Sequence, residues 1–281
     1  MLVETHIHTT YSQRLKILYE GLSTPAEMIK AAARQGIGAL AITDHDSFKG
    51  VAVAKKASKG SGVLIIPGQE ISSSDGHIIA LGISEEIKKG MAAEDTIDEI
   101  RSQGGICIAP HPFDIGRFGI KTKARLCDAV EVFNSMNLDR IANIRSHDWV
   151  TKNNLIPAAG SDAHNTQMLG LGSLVMRDDH NSVDSILKAI KKGRHGYHAR
   201  YAPTSVMLRW AVDRMKLSRE YTMEYIMSNY SEPKKSISTW LLNSTKHSPG
   251  RIDYFYQILA YIGIGSSVIY SATRGRRVMH M

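Results

Sequence analysis

The sequence predicts an α/β fold in which a closed, irregular (β/α) barrel carries a C-terminal helical extension. Short apolar runs alternate with helical patterns through residues 1–198, a spacing typical of βαβ units. Candidate metal ligands stand where successive apolar runs end, as they do on the rim of a barrel. From Pro203 onward the strand pattern stops. We therefore predict two domains, a barrel of residues 1–198 and a basic helical extension of residues 199–281.

The strands and helices of the barrel follow from local patterns. The apolar runs predict strands over residues 2–8, 39–43, 63–67, 77–82, 106–109, 129–133 and 155–159, with a last strand over 171–176. Helical patterns cover residues 23–35, 49–59, 94–103, 138–153 and 183–192. The first helix has the clearest start, because Thr24, Pro25 and Glu27 are typical of a cap, a first-turn proline and a first-turn acid. Only a short turn separates residues 63–72 from the run at 77–82, so this pair is predicted to be hairpin-like.

Composition indicates an intracellular globular protein. The chain is 43% apolar and 22% charged, and its 281 residues are enough for one large domain with an appendage. Cys107 and Cys127 are too few for a disulfide framework and lie in or beside apolar runs, which favours buried free thiols in a reducing compartment. The N-terminus lacks the pattern of a secretory signal. We expect a cytoplasmic protein.

The charge is unevenly divided along the chain. The formal net charge is +8, yet residues 1–193 hold 22 basic and 22 acidic side chains, whereas residues 194–281 hold 13 and 5. A neutral body with a basic appendage predicts an anionic partner for the appendage, either lipid head groups or nucleic acid.

Histidines and carboxylates recur at the ends of the predicted strands. On a strand, the period of two would place His6 and His8 on one face, and alone this pair would not establish a metal site. The candidate ligands together are His6, His8, His45, Glu70, His77, His111, Asp162 and His164. Imidazole with carboxylate suits zinc, iron or manganese, and so many imidazoles exceed one ion. A carboxylate such as Glu70 can bridge two ions, so the sequence predicts a site for at least two.

Such a site predicts hydrolysis of a phosphate ester. Two ions a few ångströms apart lower the pKa of a shared water, orient a phosphate and neutralise charge on the attacking and leaving oxygens. Hydrolysis of an amide is the second chemistry, because the same ions can polarise a carbonyl group. The substrate that we expect is a nucleotide, a short oligonucleotide or a small phosphorylated metabolite.

The ligands belong to motifs that occur in a fixed order through about residues 1–195. They are His6-x-His8, Thr43-Asp44-His45-Asp46, Pro67-Gly-x-Glu70-Ile-Ser72, Gly76-His77, Pro110-His111-Pro112-Phe113, Glu131-Val-Phe-Asn134 and Gly160-Ser-Asp162-Ala-His164. This set closely resembles the polymerase and histidinol phosphatase (PHP) family of metal-dependent phosphoesterases. The resemblance implies a distorted, TIM-like (β/α)7 barrel with up to three metals at its C-terminal rim.

The resemblance also implies roles for individual residues. It implies one ion on His6, His8, Glu70 and Asp162, a second on Glu70, His77 and His111, and a third on His45 and His164. Of these ligands, Asp162, His111, His164 and His45 are the predicted catalytic residues. Asp44 and Asp46 are predicted to orient the site or to cap a helix. Three basic residues in loops after candidate strands are predicted to contact the substrate phosphate, namely Arg14, Arg117 and Lys121.

One position departs from the family pattern. Family members place an acid or a histidine just after the first motif, where this chain has Ser12, Gln13 and Arg14. A third ion would then need another ligand, such as a neighbouring carboxylate. Without it, His45 and His164 would be left to contact phosphate or to move protons. The missing acid and the basic extension motivate an alternative, a non-catalytic metal- or phospholigand-binding module tethered to a membrane surface. A histidinol-phosphatase-like enzyme is a further alternative.

The extension contains a charge-free run over residues 254–272. Its length is just enough for a helix that spans a bilayer, and a helix buried against the barrel is the alternative. A full span would carry Arg274, Arg276 and Arg277 away from the cytoplasm, against the positive-inside tendency. We therefore expect an interfacial helix and peripheral attachment at the inner face of the membrane. The sequence indicates no particular protein partner.

Overall fold

The computed structural model describes residues 1–12, 15–178 and 180–278, with the side chains of residues 274–278 left out. Its centre is a nine-stranded sheet in the order β7-β6-β5-β4-β3-β2-β1-β8-β9. The strands are β1 (Leu2–Glu4), β2 (Ile37–Ile42), β3 (Leu64–Ser72), β4 (His77–Leu81), β5 (Ile106–Ala109), β6 (Ala129–Asn134), β7 (Pro157–Gly160), β8 (Gly172–Met176) and β9 (His195–Ala199). The sheet curls into a nearly closed barrel with helices around it, which confirms the predicted fold class.

Nine helices pack around and beyond the sheet in the described part of the chain. They are α1 (Pro25–Arg34), α2 (Lys49–Ala57), α3 (Ala93–Ser102), α4 (Arg140–Lys152), α5 (Val183–Lys191), α6 (Thr204–Leu217), α7 (Arg219–Asn229), α8 (Lys234–Ser244) and α9 (Ile252–Val278). Helix α1 starts where the sequence predicts, and there the Thr24 side chain and Glu27 form a reciprocal cap.

The barrel departs from regular alternation at β4 and at β8. Strand β4 pairs antiparallel with both β3 and β5, which confirms the hairpin-like prediction. At the other side, β8 pairs antiparallel with β1 and with β9, a strand that the sequence did not predict. Because β4 runs backwards, its first residue, His77, pairs with Ser72 at the carboxyl end of β3. This reversal places His77 beside residues that follow the ends of the parallel strands.

Side-chain alternation along the strands separates two layers of core. In β2, Ala39 and Ala41 belong to one apolar cluster, whereas Leu40 and Ile42 belong to another that includes residues of α1. The first cluster also contains Ile186 and Ile190 of α5, so this helix packs on the inner layer. A barrel filled in this way is a rigid support for its rim loops.

The first helix of the extension packs on the barrel. Val206, Met207 and Trp210 of α6 contact the apolar cluster that lies outside β2. Helix α9 differs, because its residues Ile252–Thr273 are long and apolar enough to cross a membrane and only 6% of its most apolar window is buried. The division into residues 1–198 and 199–281 stays a prediction, although α6 is joined to the barrel by packing.

Candidate metal centre

His6 and His8 lie just beyond the end of β1 and not on the strand itself. Between them, Ile7 is buried in the core and forms an isolated parallel bridge with Ala163. The Ile7 amide donates to Thr43 Oγ1 at 2.9 Å, which fixes this segment against the loop after β2. Since alternate side chains point to opposite sides, the two histidines share the side that faces the rim.

Four of the predicted ligands surround one small volume. Nε2 of His6 lies 3.2 Å from Nε2 of His8, 3.3 Å from Glu70 Oε2 and 3.4 Å from Asp162 Oδ1. Nε2 of His8 lies 3.2 Å from Glu70 Oε2 and 3.1 Å from Asp162 Oδ1. Ligands of a tetrahedral zinc ion are about 3.3 Å apart, given zinc–ligand distances of about 2.0–2.1 Å. These four atoms therefore fit a single cation.

Glu70 faces ligands with both of its oxygens. Its Oε2 faces the first group of ligands and also lies 3.1 Å from His45 Nδ1. Its Oε1 lies 2.9 Å from His77 Nδ1 and 3.2 Å from His111 Nε2. A carboxylate placed in this way can give one oxygen to each of two ions, as the sequence predicted.

Glu20 provides an acid near His45 and His164, which the stretch directly after the first motif lacks. Its Oε2 lies 3.5 Å from His45 Nε2 and its Oε1 lies 3.8 Å from His164 Nε2, and the side chain is buried. The Glu20 amide donates to Ser12 O at 3.1 Å, so the chain returns to Ser12 after a short excursion. Glu20 therefore lies close enough to His45 and His164 to form with them a third candidate group of ligands.

The Glu20-Gly21 dipeptide was the sequence signal for this residue. A Cβ at position 21 would clash with the backbone of His8 and Thr9, so only glycine lets the loop close this tightly. An acid followed by glycine, shortly before the cap of α1, could therefore have indicated Glu20. It was not predicted, because the family pattern places the acid directly after the first motif, in the stretch that follows Tyr11.

The donor set fits divalent cations. Within the described residues, His77 Nδ1, Asp162 Oδ1 and His164 Nε2 are buried and make no hydrogen bond of acceptable geometry, despite their close neighbours. Buried polar atoms without a partner are costly unless an ion or water satisfies them. His111 and Asp162 also have positive φ values of 28° and 51°, a strain that clusters at functional positions. Bound cations would satisfy these atoms.

Carboxylates outside the ligand groups hold the site in place. Asp44 accepts hydrogen bonds from the Thr9 amide and hydroxyl, at 2.5 and 2.8 Å. Burial raises the pKa of Asp44 to about 6, against these hydrogen bonds. Asp46 accepts from the Ser72 amide at 2.8 Å. Both aspartates thus hold backbone beside the ligands, consistent with the orienting role predicted for them.

Glu131 orients two ligands at once. Its Oε1 lies 2.8 Å from His6 Nδ1, and its Oε2 accepts from the His111 amide at 3.0 Å. A carboxylate on Nδ1 keeps the proton there, so that Nε2 of His6 points a lone pair at the other ligands. Sequence reasoning recognised Glu131 within a motif but assigned it no role.

We expect Glu131→Gln to weaken metal binding about 10- to 100-fold, the usual cost of losing such a partner. The amide keeps the shape of the side chain but removes the charge that fixes the His6 tautomer. Metal content measured against free-ion concentration tests this, with exposed Glu85→Gln as the matched control. Equal metal affinity in the two variants would contradict the orienting role.

The electrostatics of the ligand groups favour charged side chains. Burial alone would lower the pKa of His8, but the carboxylates of Asp162 and Glu70 raise it to about 9. Burial likewise opposes the charged form of His111, yet Asp114 and Glu70 raise its pKa to about 10. Although burial would raise the pKa of Glu70, the neighbouring histidines hold it well below its usual range. Without metal, His8 and His111 therefore keep their protons at neutral pH.

Metal loading is expected to release protons. A cation binds neutral imidazole, so at pH 7 it must displace the protons of His6, His8 and His111, whose pKa values are all raised, and we expect release of about three protons per chain. Because the pKa values of His8 and His111 are raised to about 9 and about 10, affinity should increase with pH until that range. Calorimetric titration with Zn²⁺ in buffers of different ionisation enthalpy measures the release, and His111→Gln should reduce it by about one proton. Heats that do not depend on the buffer would contradict this expectation.

The extension contributes to the wall of the site. Trp210 of α6 donates from Nε1 to Glu20 O at 2.8 Å, and its ring centroid lies 4.7 Å from that of His164. Arg214 Nη1 lies 3.8 Å from Glu20 Oε1, with its guanidinium 4.0 Å from the centroid of the Trp210 ring. No motif pointed to either residue, because they follow the family-like region in the sequence.

The three basic residues predicted to contact the substrate phosphate are a separate set from the predicted metal ligands. Arg14 lies outside the described residues. Arg117 lies in the loop that follows β5, and Lys121 begins a short 3-10 helix, Lys121–Leu126. Both are exposed, and their contact with substrate stays a prediction. All eight predicted ligands, in contrast, belong to clusters of side chains close enough to hold a metal ion. Glu20 lies beside two of them, His45 and His164.

Comparisons with families and known proteins agree with this geometry. A family profile described as "PHP domain" matches residues 4–90, and one described as "PHP-associated" matches residues 140–195. An uncharacterized protein of Methanocaldococcus jannaschii is 39% identical over 150 residues, which are 51% of this chain and 87% of that protein.

Two named enzymes are similar over shorter stretches. A phosphoribosyl 1,2-cyclic phosphate 1,2-diphosphodiesterase of Eggerthella lenta is 31% identical over 91 residues, 30% of this chain and 32% of that enzyme. A 3',5'-nucleoside bisphosphate phosphatase of Chromobacterium violaceum is 36% identical over 85 residues, 29% of this chain and 27% of that enzyme. The chain thus matches about a third or less of the length of either enzyme.

A solved structure shows the same fold. It is a two-domain protein from Bacteroides vulgatus that contains a predicted PHP-like metal-dependent phosphoesterase, with a TM-score of 0.58 and 18% sequence identity. The match covers 76% of this chain and 70% of that one. Profile, relatives and fold therefore point to one family.

Proposed function

The chain belongs to the PHP family, and from this premise we propose that it is a metal-dependent phosphoesterase. The observation that carries the proposal is that eight histidine and carboxylate side chains, Glu70 among them, come together with their donor atoms close enough to hold metal ions. Supporting it, PHP-family relatives are named as phosphatase and phosphodiesterase. The reaction is the hydrolysis of a phosphate ester.

We assign the ligands to three groups, each of which would hold one ion. His6, His8, Glu70 and Asp162 would hold the first, and Glu70, His77 and His111 would hold the second. His45, His164 and Glu20 would hold the third, with Glu20 in place of the missing acid near Gln13. Imidazole and carboxylate donors suit Mn²⁺, Fe²⁺ or Zn²⁺. The number of ions is two or three, depending on how tightly the third group binds.

Bound cations would lower the pKa of an attacking water and offset the negative charge of the phosphate. The protein's own part is to hold these ligands rigidly, through Glu131 on His6 and through Asp44 on the loop at Thr9. Burial and the charge of His8 lower the pKa of His164, which favours the neutral imidazole that a cation would bind. Arg214 beside Glu20 adds a positive charge near this group of ligands.

The substrate proposed is a nucleotide, a short oligonucleotide or a small phosphorylated metabolite. The names of the two related enzymes support phosphorylated ribose and nucleotide compounds. Arg117 and Lys121 remain proposed contacts for the phosphate, as does Arg14. A histidinol-phosphatase-like activity stays within the same class of reaction, with no observation that favours it.

The alternative of a non-catalytic binding module rested on two observations, the missing acid and the basic extension. The first no longer supports it, because Glu20 lies beside both His45 and His164. A complete set of ligands favours the enzyme over a module that only binds a phosphorylated ligand.

A metal-reconstitution screen tests the proposed function. Protein stripped with a chelator and reloaded with Mn²⁺, Fe²⁺ or Zn²⁺ should hydrolyse an activated aryl phosphate or phosphodiester, and the natural class follows from nucleotide and metabolite panels. His111→Ala should abolish turnover, whereas exposed His147→Ala should not. Absence of turnover with every ion, in protein that holds two or more ions per chain, would favour the binding module instead.

We also propose a cytoplasmic location. Cys107 and Cys127 are free thiols, and Cys107 is fully buried. Two thiols left unpaired in the fold suit a reducing compartment.

A further inference from the structure

Helix α9 presents an apolar side to solvent. Tyr254, Ile258, Tyr261 and Ile269 are between 59% and 71% exposed and recur every three or four residues or at multiples of that spacing, so they lie along one side. Ile262, at 59% exposure, widens this side. Residues 254–272 contain no charged side chain. An ordinary surface helix turns its polar side to water, so packing of the core does not explain this arrangement.

The exposed side of α9 continues onto α8. Trp240 of α8 packs edge-on against Phe255, with ring centroids 5.8 Å apart, and is itself 54% exposed. We define the apolar face as the set formed by these exposed side chains of the two helices. Its members are Ile237, Trp240, Tyr254, Phe255, Ile258, Tyr261, Ile262 and Ile269. A contiguous surface of this kind marks an interaction site.

The opposite side of α9 is held against the protein near both ends. Near its start, the Tyr256 hydroxyl lies 2.5 Å from Ser244 Oγ. Towards its end, Ser271 hydrogen-bonds Asp139, at the cap of α4, and its carbonyl accepts from Arg145. Tyr256 and Ser271 are 15 positions apart, which corresponds to about 22 Å along a helix at 1.5 Å per residue. These contacts at both ends place the helix along the folded body, which favours a position in the plane of an interface over a span.

We propose that the apolar face docks this protein onto the surface of an anionic lipid bilayer. Residues 194–281 carry 13 basic against 5 acidic side chains, and Lys234, Lys246 and Arg251 are exposed in or between helices α8 and α9. Arg274, Arg276 and Arg277 follow the charge-free run in the sequence. Basic side chains attract anionic head groups, while tyrosine and tryptophan suit the boundary between water and hydrocarbon.

The charge also decides between lipid and a second copy of the chain. Two copies meeting through this face would bring two basic extensions together, and like charges would oppose their association. An anionic bilayer has the opposite sign. The helix then lies in the plane of the interface, with its apolar side chains among the acyl chains and its basic neighbours at the head groups.

Vesicle sedimentation of the full-length, metal-loaded protein tests the proposal. Phosphatidylcholine vesicles with and without phosphatidylserine are the probes. We expect binding to require phosphatidylserine and to decrease as NaCl increases, because salt screens the attraction. The variant with both Ile258→Asp and Ile262→Asp should bind at least about tenfold more weakly, since two buried apolar side chains are lost. Val53→Asp, at a partly exposed position of α2, is the matched control and should bind like the unchanged protein.

The outcomes separate this proposal from the phosphoesterase activity. Turnover of an aryl phosphate is measured without vesicles and should be the same in the Ile258 and Ile262 variant, which shows that the variant is folded. Equal sedimentation with and without phosphatidylserine, or equal binding of the variant, would overturn the proposal. Light scattering that shows a dimer disrupted by the same variant would assign the face to a second copy instead.

Discussion

Asp162→Asn is expected to lower kcat/KM by about a thousandfold or more, because several kcal/mol of charge stabilisation by the first ion depend on this ligand. Asp162 Oδ1 lies within 3.4 Å of both His6 Nε2 and His8 Nε2. The asparagine has nearly the same shape but no charge to hold a cation beside two histidines. Metal analysis should show fewer ions per chain, and added metal should not restore full turnover.

The control for this variant is Asp98→Asn, an exposed aspartate of α3. It should keep both turnover and metal content. The design also separates chemistry from folding, because thermal unfolding of the metal-free proteins compares their folds without the ion. An Asp162→Asn enzyme that works normally at ordinary metal concentrations would remove this residue from the proposed ligands.

Glu20→Gln is expected to remove one ion per chain and to lower kcat about a hundredfold, the upper range seen when a supporting ligand interaction is lost. Glu20 is the acid between His45 and His164, and its replacement leaves that group with imidazoles alone. The other two groups keep all of their ligands, so two ions should remain. Metal content at controlled free-ion concentration, with steady-state kinetics, measures both effects.

Two comparisons make the Glu20 result specific. Glu85→Gln changes an exposed glutamate in the same way and should have no effect. Arg214→Gln removes the guanidinium that lies 3.8 Å from Glu20 Oε1 but leaves the carboxylate in place. We expect Arg214→Gln to keep the third ion. If Arg214→Gln removed that ion and Glu20→Gln kept it, Glu20 would not be its ligand.

Local structure was predicted well where it depends on neighbouring residues. The start of α1 agrees with the prediction because Thr24 and Glu27 satisfy each other's backbone amides within one turn. The pairing of β3 with β4 agrees because a short turn can only join adjacent antiparallel strands. Strand β9 was missed, since its residues Tyr197 and His198 are exposed and give no apolar alternation.

The sequence alone predicted that eight side chains from His6 to His164 would come together, because each stands near the end of an apolar run and such ends meet at one rim of a barrel. Only the tertiary structure showed that Glu20 lies beside His45 and His164. The chain leaves the rim after Ser12 and returns at Glu20, and the hydrogen bond that closes this excursion is not encoded in local spacing. It likewise decided that Trp210 of the extension packs on His164, and that α9 lies exposed against the body. These three features depend on contacts between segments distant in sequence, which periodicity and motif spacing do not specify.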